Sequence, residues 1–209
     1  MPTELLPGVY DITVRDEGNG RYRAFLIDGD VPTLMDCGFS DTVDELAAGV
    51  EEVGITPERL IITHSDGDHI GGFDGVVERY GVETVVPEQT DMDAENDPDH
   101  RYGDGDEIGD FEAVHIPGHT DDSHVLIDEG SDLAVMGDAL FGSDARGLPA
   151  GYFVLPTAFY STDLAAADEN LQQLLDYDFD AGLLYHGSSV IEDASAKLDA
   201  FVNFENKPE

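Results

Sequence analysis

Short runs of β-forming residues dominate the first third of the chain. Val9–Val14, Tyr22–Asp28 and Val31–Asp36 are separated by the turn-forming stretches Glu17-Gly18-Asn19-Gly20 and Asp28-Gly29-Asp30, so three strands are expected. The period then changes. Val43, Leu46, Ala47 and Val50 share one helical face, with Ser40 or Asp41 as the cap and an end near Val53. Arg59–Thr63 is a short apolar run that breaks into a polar loop, Gly72–Tyr80 reads as a helix, and residues 83–87 read as a strand. Asp91–Gly105 is Asp-rich and without period, and is expected to be a mobile loop. Strands are expected at Phe111–Ile116, Val125–Asp128, Leu133–Met136 and Ala181–Tyr185. Helices are expected over Asp163–Leu175, with Leu164, Ala167, Leu171 and Leu174 on one face, and over Asp193–Phe204. Strand groups alternating with helices predict an α/β architecture of two sheets covered by helices. With no repeat, low-complexity tract or long linker, residues 1–209 read as a single domain.

Composition changes this picture mainly through charge. Hydrophobic residues make up 41% of the 209, enough for a core, yet 47 Asp and Glu face nine Lys and Arg for a net charge of −38. The acids are spread over every segment, as on a chain whose whole surface is coated with carboxylates. Self-repulsion of that size is relieved when salt shortens the Debye length to about 3 Å near 1 M. A salt-rich, halophilic cytoplasm is therefore the expected setting. A polyanionic surface disfavours nucleic acid as a partner. No apolar run reaches the roughly 18 residues a spanning helix needs, and the N-terminus lacks a basic and apolar leader, so neither membrane nor secretion is expected. Cys37 is the only cysteine, which excludes an internal disulfide and suits a cytoplasmic location.

The chemistry concentrates in Thr63-His64-Ser65-Asp66-Gly67-Asp68-His69-Ile70-Gly71-Gly72, directly after the apolar run Leu60–Ile62. Four metal-competent side chains fall within six residues, and Gly67 is expected to allow the tight turn that converges them. From this composition, His-x-Asp-x-Asp-His arises by chance about 0.005 times in such a chain, a useful but insufficient signal. Three more groups share one design. Pro117-Gly118-His119-Thr120, Gly137-Asp138 and His186-Gly187 each place a His or Asp in a Gly-containing turn where an expected strand stops. Seven ligands suit two divalent ions with open positions left for water.

These segments, with Leu34-Met35-Asp36-Cys37-Gly38 before them, resemble the metallo-β-lactamase-fold superfamily over nearly the whole chain. The resemblance implies a four-layer αββα sandwich and a dinuclear metal-dependent hydrolase. It also implies the ligand roles: His64, Asp66 and His119 on the first metal, Asp68, His69 and His186 on the second, and Asp138 bridging both. Asp68 would also orient the attacking water and take its proton. The family usually has His where this chain has Asp66. An oxygen donor there makes the first site harder, so zinc is the leading expectation, with iron or manganese as alternatives. A carboxylate at that place resembles the flavodiiron oxidoreductases. An iron-dependent oxidoreductase of the same fold, or a metal-binding protein without catalysis, are therefore the competing readings.

Absences narrow the substrate. Only 47 residues separate Asp138 from His186, too few for the inserted domain of the nucleic-acid-processing relatives. Only 23 follow His186, so the helical domain that glyoxalase II uses to hold glutathione thioesters is not expected. A small-molecule ester, thioester, lactone or phosphoester is the expected substrate. Asp36 reads as a structural acid that hydrogen-bonds the loops, and Cys37 as a buried residue. His100 reads as solvated, and His115 and His124 as strand-surface or supporting groups outside the ligand set. Tyr160 and Arg146 are weak candidates for substrate contacts, Arg146 having an intramolecular carboxylate as its alternative partner.

Overall fold

The structure, a computed structural model, describes residues 1–17 and 20–204. The turn expected at Gly18-Asn19 lies outside the described residues. The chain divides into two compact units, Met1–Gly103 and Asp104–Glu209.

The first unit is built on a seven-stranded sheet whose spatial order follows the chain: β1 (Thr3–Leu6), β2 (Val9–Glu17), β3 (Gly20–Ile27), β4 (Thr33–Met35), β5 (Arg59–Ile61), β6 (Glu83–Pro87) and β7 (His100–Tyr102). β1 to β4 pair antiparallel, and β4 to β7 pair parallel. Parallel neighbours need crossover connections, which α1 (Val43–Val53) supplies between β4 and β5, and α2 (Gly67–Ile70) and α3 (Phe73–Tyr80) supply between β5 and β6. Leu46, Val50, Phe73 and Val76 from the helices pack with Ile12, Leu26, Leu34, Leu60 and Ile62 from the sheet. Phe25, Met35 and Ile61, which alternate with those positions, are equally buried.

Two expectations need correction here. α1 begins at Val43 with Thr42 at its N-cap, in place of Ser40 or Asp41; the Thr42 hydroxyl is engaged by the backbone of Phe39 and gives no side-chain cap. Asp91–Gly105 is not a featureless loop. Arg101 Nη1 donates to the carbonyls of Pro87 and Thr90, and Asp74 accepts from the backbone of Glu95 and Asn96. These anchors hold the segment while β7 pairs with β6, and β7 is too short to show a sequence period.

The second unit carries a five-stranded sheet ordered β14 (Ala181–Leu183), β11 (Leu133–Val135), β10 (His124–Asp128), β9 (Phe111–His115), β8 (Glu107–Ile108), with β12 (Phe141–Gly142) and β13 (Phe153–Val154) as a separate hairpin. β9 and β11 are both antiparallel to β10, and β14 is parallel to β11. The carboxyl ends of β9, β11 and β14 therefore lie along one edge of the sheet. α4 (Leu164–Asn170) is capped by Asp163, whose carboxylate accepts from Ala165 and Ala166, and runs on into a 3₁₀ turn over Leu171–Asp176. That turn and α5 (Ala194–Val202) press Leu171, Leu174, Leu198 and Val202 onto Val114, Ile116, Val125, Ile127 and Ala134. Among the described residues no helix is long and apolar enough to cross a membrane.

Candidate metal centre

In the first unit, the candidate residues follow the carboxyl ends of two adjacent parallel strands: Asp36 comes after β4, and Thr63-His64 after β5. This is where open α/β sheets place their ligands. Asp36 is fully buried and adopts a left-handed backbone, φ 58°. Its Oδ1 accepts from the Thr63 backbone N–H at 2.7 Å, and its Oδ2 accepts from the Thr63 hydroxyl at 2.7 Å and faces His69 Nδ1 at 2.7 Å. The Thr63 hydroxyl has given its proton to Asp36, so it can only accept from His64 Nδ1, 3.0 Å away. Both imidazoles are thus held with the proton on Nδ1 and the lone pair on Nε2, the form a cation requires. The His64 and His69 rings lie 4.0 Å apart by centroid. Asp66 Oδ2 stands 3.9 Å from His64 Nε2, and Asp68 Oδ2 stands 3.8 Å from His69 Nε2. All four candidate ligands of the loop are therefore gathered within this unit.

Glycine does a different task from the one expected. Gly67 opens α2 with space around its Cα, and its φ is not positive. The demanding positions are Gly71 and Gly72: a Cβ at Gly71 would strike the Gly67 carbonyl and crowd the backbone of Phe39 and Ser40, and one at Gly72 would strike the Cys37 carbonyl. This close approach lets Cys37 N–H donate to the His69 carbonyl at 2.7 Å and Gly72 N–H to Gly38 at 2.9 Å, which locks the loop onto the β4 turn. Cys37 is buried as expected, its thiol pushed up chiefly by burial, with Asp36 adding to the effect.

In the second unit the three candidates sit just beyond β9, β11 and β14. One oxygen of Asp138, Oδ2, faces His119 Nε2 at 3.4 Å and His186 Nε2 at 3.1 Å. Asp138 and His119 are nearly inaccessible to solvent. Phe141 packs at a tilt against the His186 ring with centroids 4.5 Å apart. The turn after His186 is pinned from both sides: Gly142 N–H donates to the His186 carbonyl at 2.7 Å, and Asp144 accepts from Ser188 N–H at 2.7 Å and from its hydroxyl at 2.8 Å. Around His119, Ser161 Oγ lies 3.3 Å from Nδ1. Thr63, Asp144 and Ser161 were not singled out by sequence reasoning. Thr63, beside His64 in the sequence, becomes informative only when Asp36 is seen to accept its proton, and Asp144 and Ser161 only when the fold brings them to the His186 turn and to His119.

The weak candidates stand as follows. Tyr160 is 69% exposed, its ring packing edge-on against Phe159, and the adjacent Ser161 is the residue that reaches His119. Arg146 Nη2 donates to the Leu155 carbonyl at 2.9 Å, which leaves its other N–H groups for further partners. His100 is exposed and faces Glu83 at 3.3 Å. His124 is buried rather than on a strand surface; it stacks on His115 at 4.8 Å, its Nδ1 lies 2.8 Å from the Asp122 carbonyl, and burial pushes its pKa below the ordinary value.

The donors fit divalent cations. They are imidazole nitrogens and carboxylate oxygens without thiolate, a mixed set that suits zinc, iron or manganese. Comparisons with known proteins agree with this chemistry. The sequence model of the metallo-beta-lactamase superfamily matches residues 19–180. A hydroxyacylglutathione hydrolase of Xylella fastidiosa is 36% identical over 92 residues, 42% of this chain and 34% of that protein. An atrochrysone carboxyl ACP thioesterase of Passalora fulva is 26% identical over 87% of this chain and 49% of that protein. The chain thus spans about a third to a half of the length of these curated relatives. A metallo-beta-lactamase from Pontibacter korlensis superimposes with a TM-score of 0.75 over 97% of this chain and 96% of that one, at 19% identity, a shared fold. A family match over most of the chain, an α/β fold of the same type and candidate ligands at the strand ends lead to one conclusion: the chain belongs to the metallo-beta-lactamase superfamily.

Proposed function

We propose that the chain is a metal-dependent hydrolase of small thioesters, with esters, lactones and phosphoesters as the wider substrate class, and that residues 1–209 work as one domain holding one pair of divalent cations. The observation that carries this reading is the position of Asp138, whose single oxygen Oδ2 faces the Nε2 atoms of two histidines from two different strand ends. A carboxylate oxygen shared in that way is suited to bridge two cations. His64, Asp66 and His119 would hold the first, and Asp68, His69 and His186 the second. Zinc is the favoured metal, and the Asp66 oxygen leaves iron or manganese open. What such a pair supplies when bound is a water acidified toward neutral pH and an electrophilic pull on a carbonyl.

The protein's own residues do the rest. Asp36 fixes the His64 and His69 tautomers, keeping protons off the atoms that must donate lone pairs. Asp68 orients the attacking water by accepting its proton at a carboxylate oxygen. The buried setting of His64, His69, His119 and Asp138 excludes bulk water and strengthens these interactions. Thioesters come first because a hydroxyacylglutathione is an acyl thioester, and a carrier-protein thioesterase cleaves the same bond; both activities belong to relatives of partial coverage.

Elemental analysis of protein purified in high salt, coupled to a panel of thioesters, esters, lactones and phosphodiesters, tests the reading. Two metal equivalents and thioester cleavage lost in Asp138→Ala are the expected result. Protein that carries no metal after metal-supplemented expression would sink it. Iron together with oxygen consumption and no hydrolysis would move the chain to the oxidoreductases, the reading that Asp66 beside His64 favours. The net charge of −38 further supports a halophilic, cytoplasmic origin. The melting temperature is expected to rise between 0.1 and 3 M KCl, and a flat or falling trend would remove that part.

A further inference from the structure

The proposed ligand His119 can present Nε2 to a cation only if its ring proton sits on Nδ1. We propose that Ser161, through its hydroxyl held by Thr157, is the positioning residue that keeps it there. The inference rests on the reading of His119 as a ligand. The Ser161 hydroxyl has one proton, and Oγ lies 2.9 Å from the Thr157 carbonyl, a group that can only accept. With its proton directed there, Oγ meets His119 Nδ1 at 3.3 Å as an acceptor, so the ring donates from Nδ1. The lone pair of Nε2 is then left on the side where Asp138 Oδ2 stands at 3.4 Å. The opposite tautomer would put a proton on the atom that must bind the cation.

The loop is built to hold this contact. Thr162 N–H donates to the His119 carbonyl at 2.9 Å and Asp163 N–H to the Gly118 carbonyl at 2.8 Å, so one segment grips the turn at two backbone oxygens and the ring at one nitrogen. Asp163 also caps α4, which ties that grip to the helix. The same device stands in the first unit, where the Thr63 hydroxyl gives its proton to Asp36 and accepts from His64 Nδ1. Two histidines from separate parts of the chain are thus set by a hydroxyl whose own proton is committed elsewhere. Ser161 ends on a neutral carbonyl where Thr63 ends on a carboxylate, so its effect belongs at the lower end of the range for such partners.

The test compares Ser161→Ala, Ser161→Thr and His119→Ala with the unmodified protein, by Zn²⁺ competition against a chromophoric chelator. Ring ¹⁵N NMR of the metal-free protein reads the His119 tautomer. The expected result is an Nδ1–H ring in the unmodified protein and Zn²⁺ affinity at one of two sites about tenfold weaker in Ser161→Ala at unchanged stoichiometry. Ser161→Thr restores the affinity, and His119→Ala abolishes that site. A His119 proton on Nε2 in the metal-free protein overturns the inference. So does unchanged affinity in Ser161→Ala while His119→Ala loses the site. If His119→Ala keeps both sites at full affinity, the ligand reading fails instead. Should Ser161→Ala not fold, the tautomer of the unmodified protein decides.

Discussion

The two units present the same kind of donor by opposite routes. In the first, His64, Asp66, Asp68 and His69 are neighbours in sequence, and one buried acid, Asp36, sets the two imidazoles directly or through Thr63. In the second, His119, Asp138 and His186 come from three distant turns and meet because β9, β11 and β14 end on the same sheet edge. Proximity in the first is a property of the loop; in the second it is a property of strand order. The first half should therefore be most sensitive to its supporting acid, and the second to its shared carboxylate oxygen and to whatever fixes the turns against the helices.

The largest effect is expected at Asp138. Asp138 Oδ2 faces both candidate ligand histidines of the second unit, His119 and His186, and Asp138→Ala removes the oxygen they share. If the shared oxygen supplies several kcal/mol of charge stabilisation, hydrolysis should fall by about 10³-fold or more, with metal content falling alongside. Dialysis of the unmodified protein against a strong chelator should reproduce that loss, and Zn²⁺ should reverse it. Asp138→Ala that keeps two metals and near-normal turnover would break the distinction between a shared and a local ligand set.

Turn geometry comes next. Gly118 has φ 142° and lies so close to α4 that a Cβ would collide with the backbone of Ala167. Gly118→Ala should cost about 3 kcal/mol or more, from backbone strain and a displaced helix. Gly67, inside the first unit's ligand loop, has open space, and Gly67→Ala should stay within about 0.5 kcal/mol. Denaturant melts of the two variants read the difference directly. Equal costs would mean that the ligand loop is as constrained as the assembled turns.

Legibility followed the same division. The first half was visible because its donors are consecutive and follow an apolar strand, and the strand ends of the second were visible as Gly-containing turns with a His or Asp. What escaped depends on distance in sequence. Ser161 lies 42 positions from His119 in a polar loop, where nothing in the sequence sets it apart from its exposed neighbour Tyr160. The strands β7, β8, β12 and β13 are two or three residues long, too short for alternation to register. Gly67 was credited with a turn that Gly71 and Gly72 make, because a sequence shows that a glycine is present but not what stands beside it.

Asp36 sharpens the comparison at intermediate size. In Asp36→Asn, the oxygen can still accept from Thr63 N–H, which turns the amide NH₂ toward the Thr63 hydroxyl and His69 Nδ1. His69 must then accept at Nδ1 and carry its proton on Nε2, and the Thr63 hydroxyl loses the partner that made it an acceptor. Metal affinity of the first-unit donors should weaken by about 10- to 100-fold, with two rings affected where Ser161→Ala affects one. Zn²⁺ competition measures this. A change no larger than that of Ser161→Ala would mean that the two rings are set independently of Asp36.

The smallest effect belongs to His124, a histidine of the second unit outside the ligand set. Its burial lowers the pKa in the folded state, with the His115 ring adding to the shift, while an unfolded histidine titrates near 6.5. Between those two values the unfolded chain binds more protons. The contribution is therefore fully present above about pH 6.5 and is lost as pH falls toward the folded value. One proton limits the slope to about 1.4 kcal/mol per pH unit. His124→Phe keeps a ring against His115 and removes the titration. Denaturant melts of metal-free protein between pH 7.5 and 5.5 should show a shallower acid loss in the variant, whatever the hydrogen bond to Asp122 contributes at neutral pH. Parallel slopes would mean that the acid sensitivity of this unit comes from elsewhere, the carboxylates that outnumber its histidines being the first place to look.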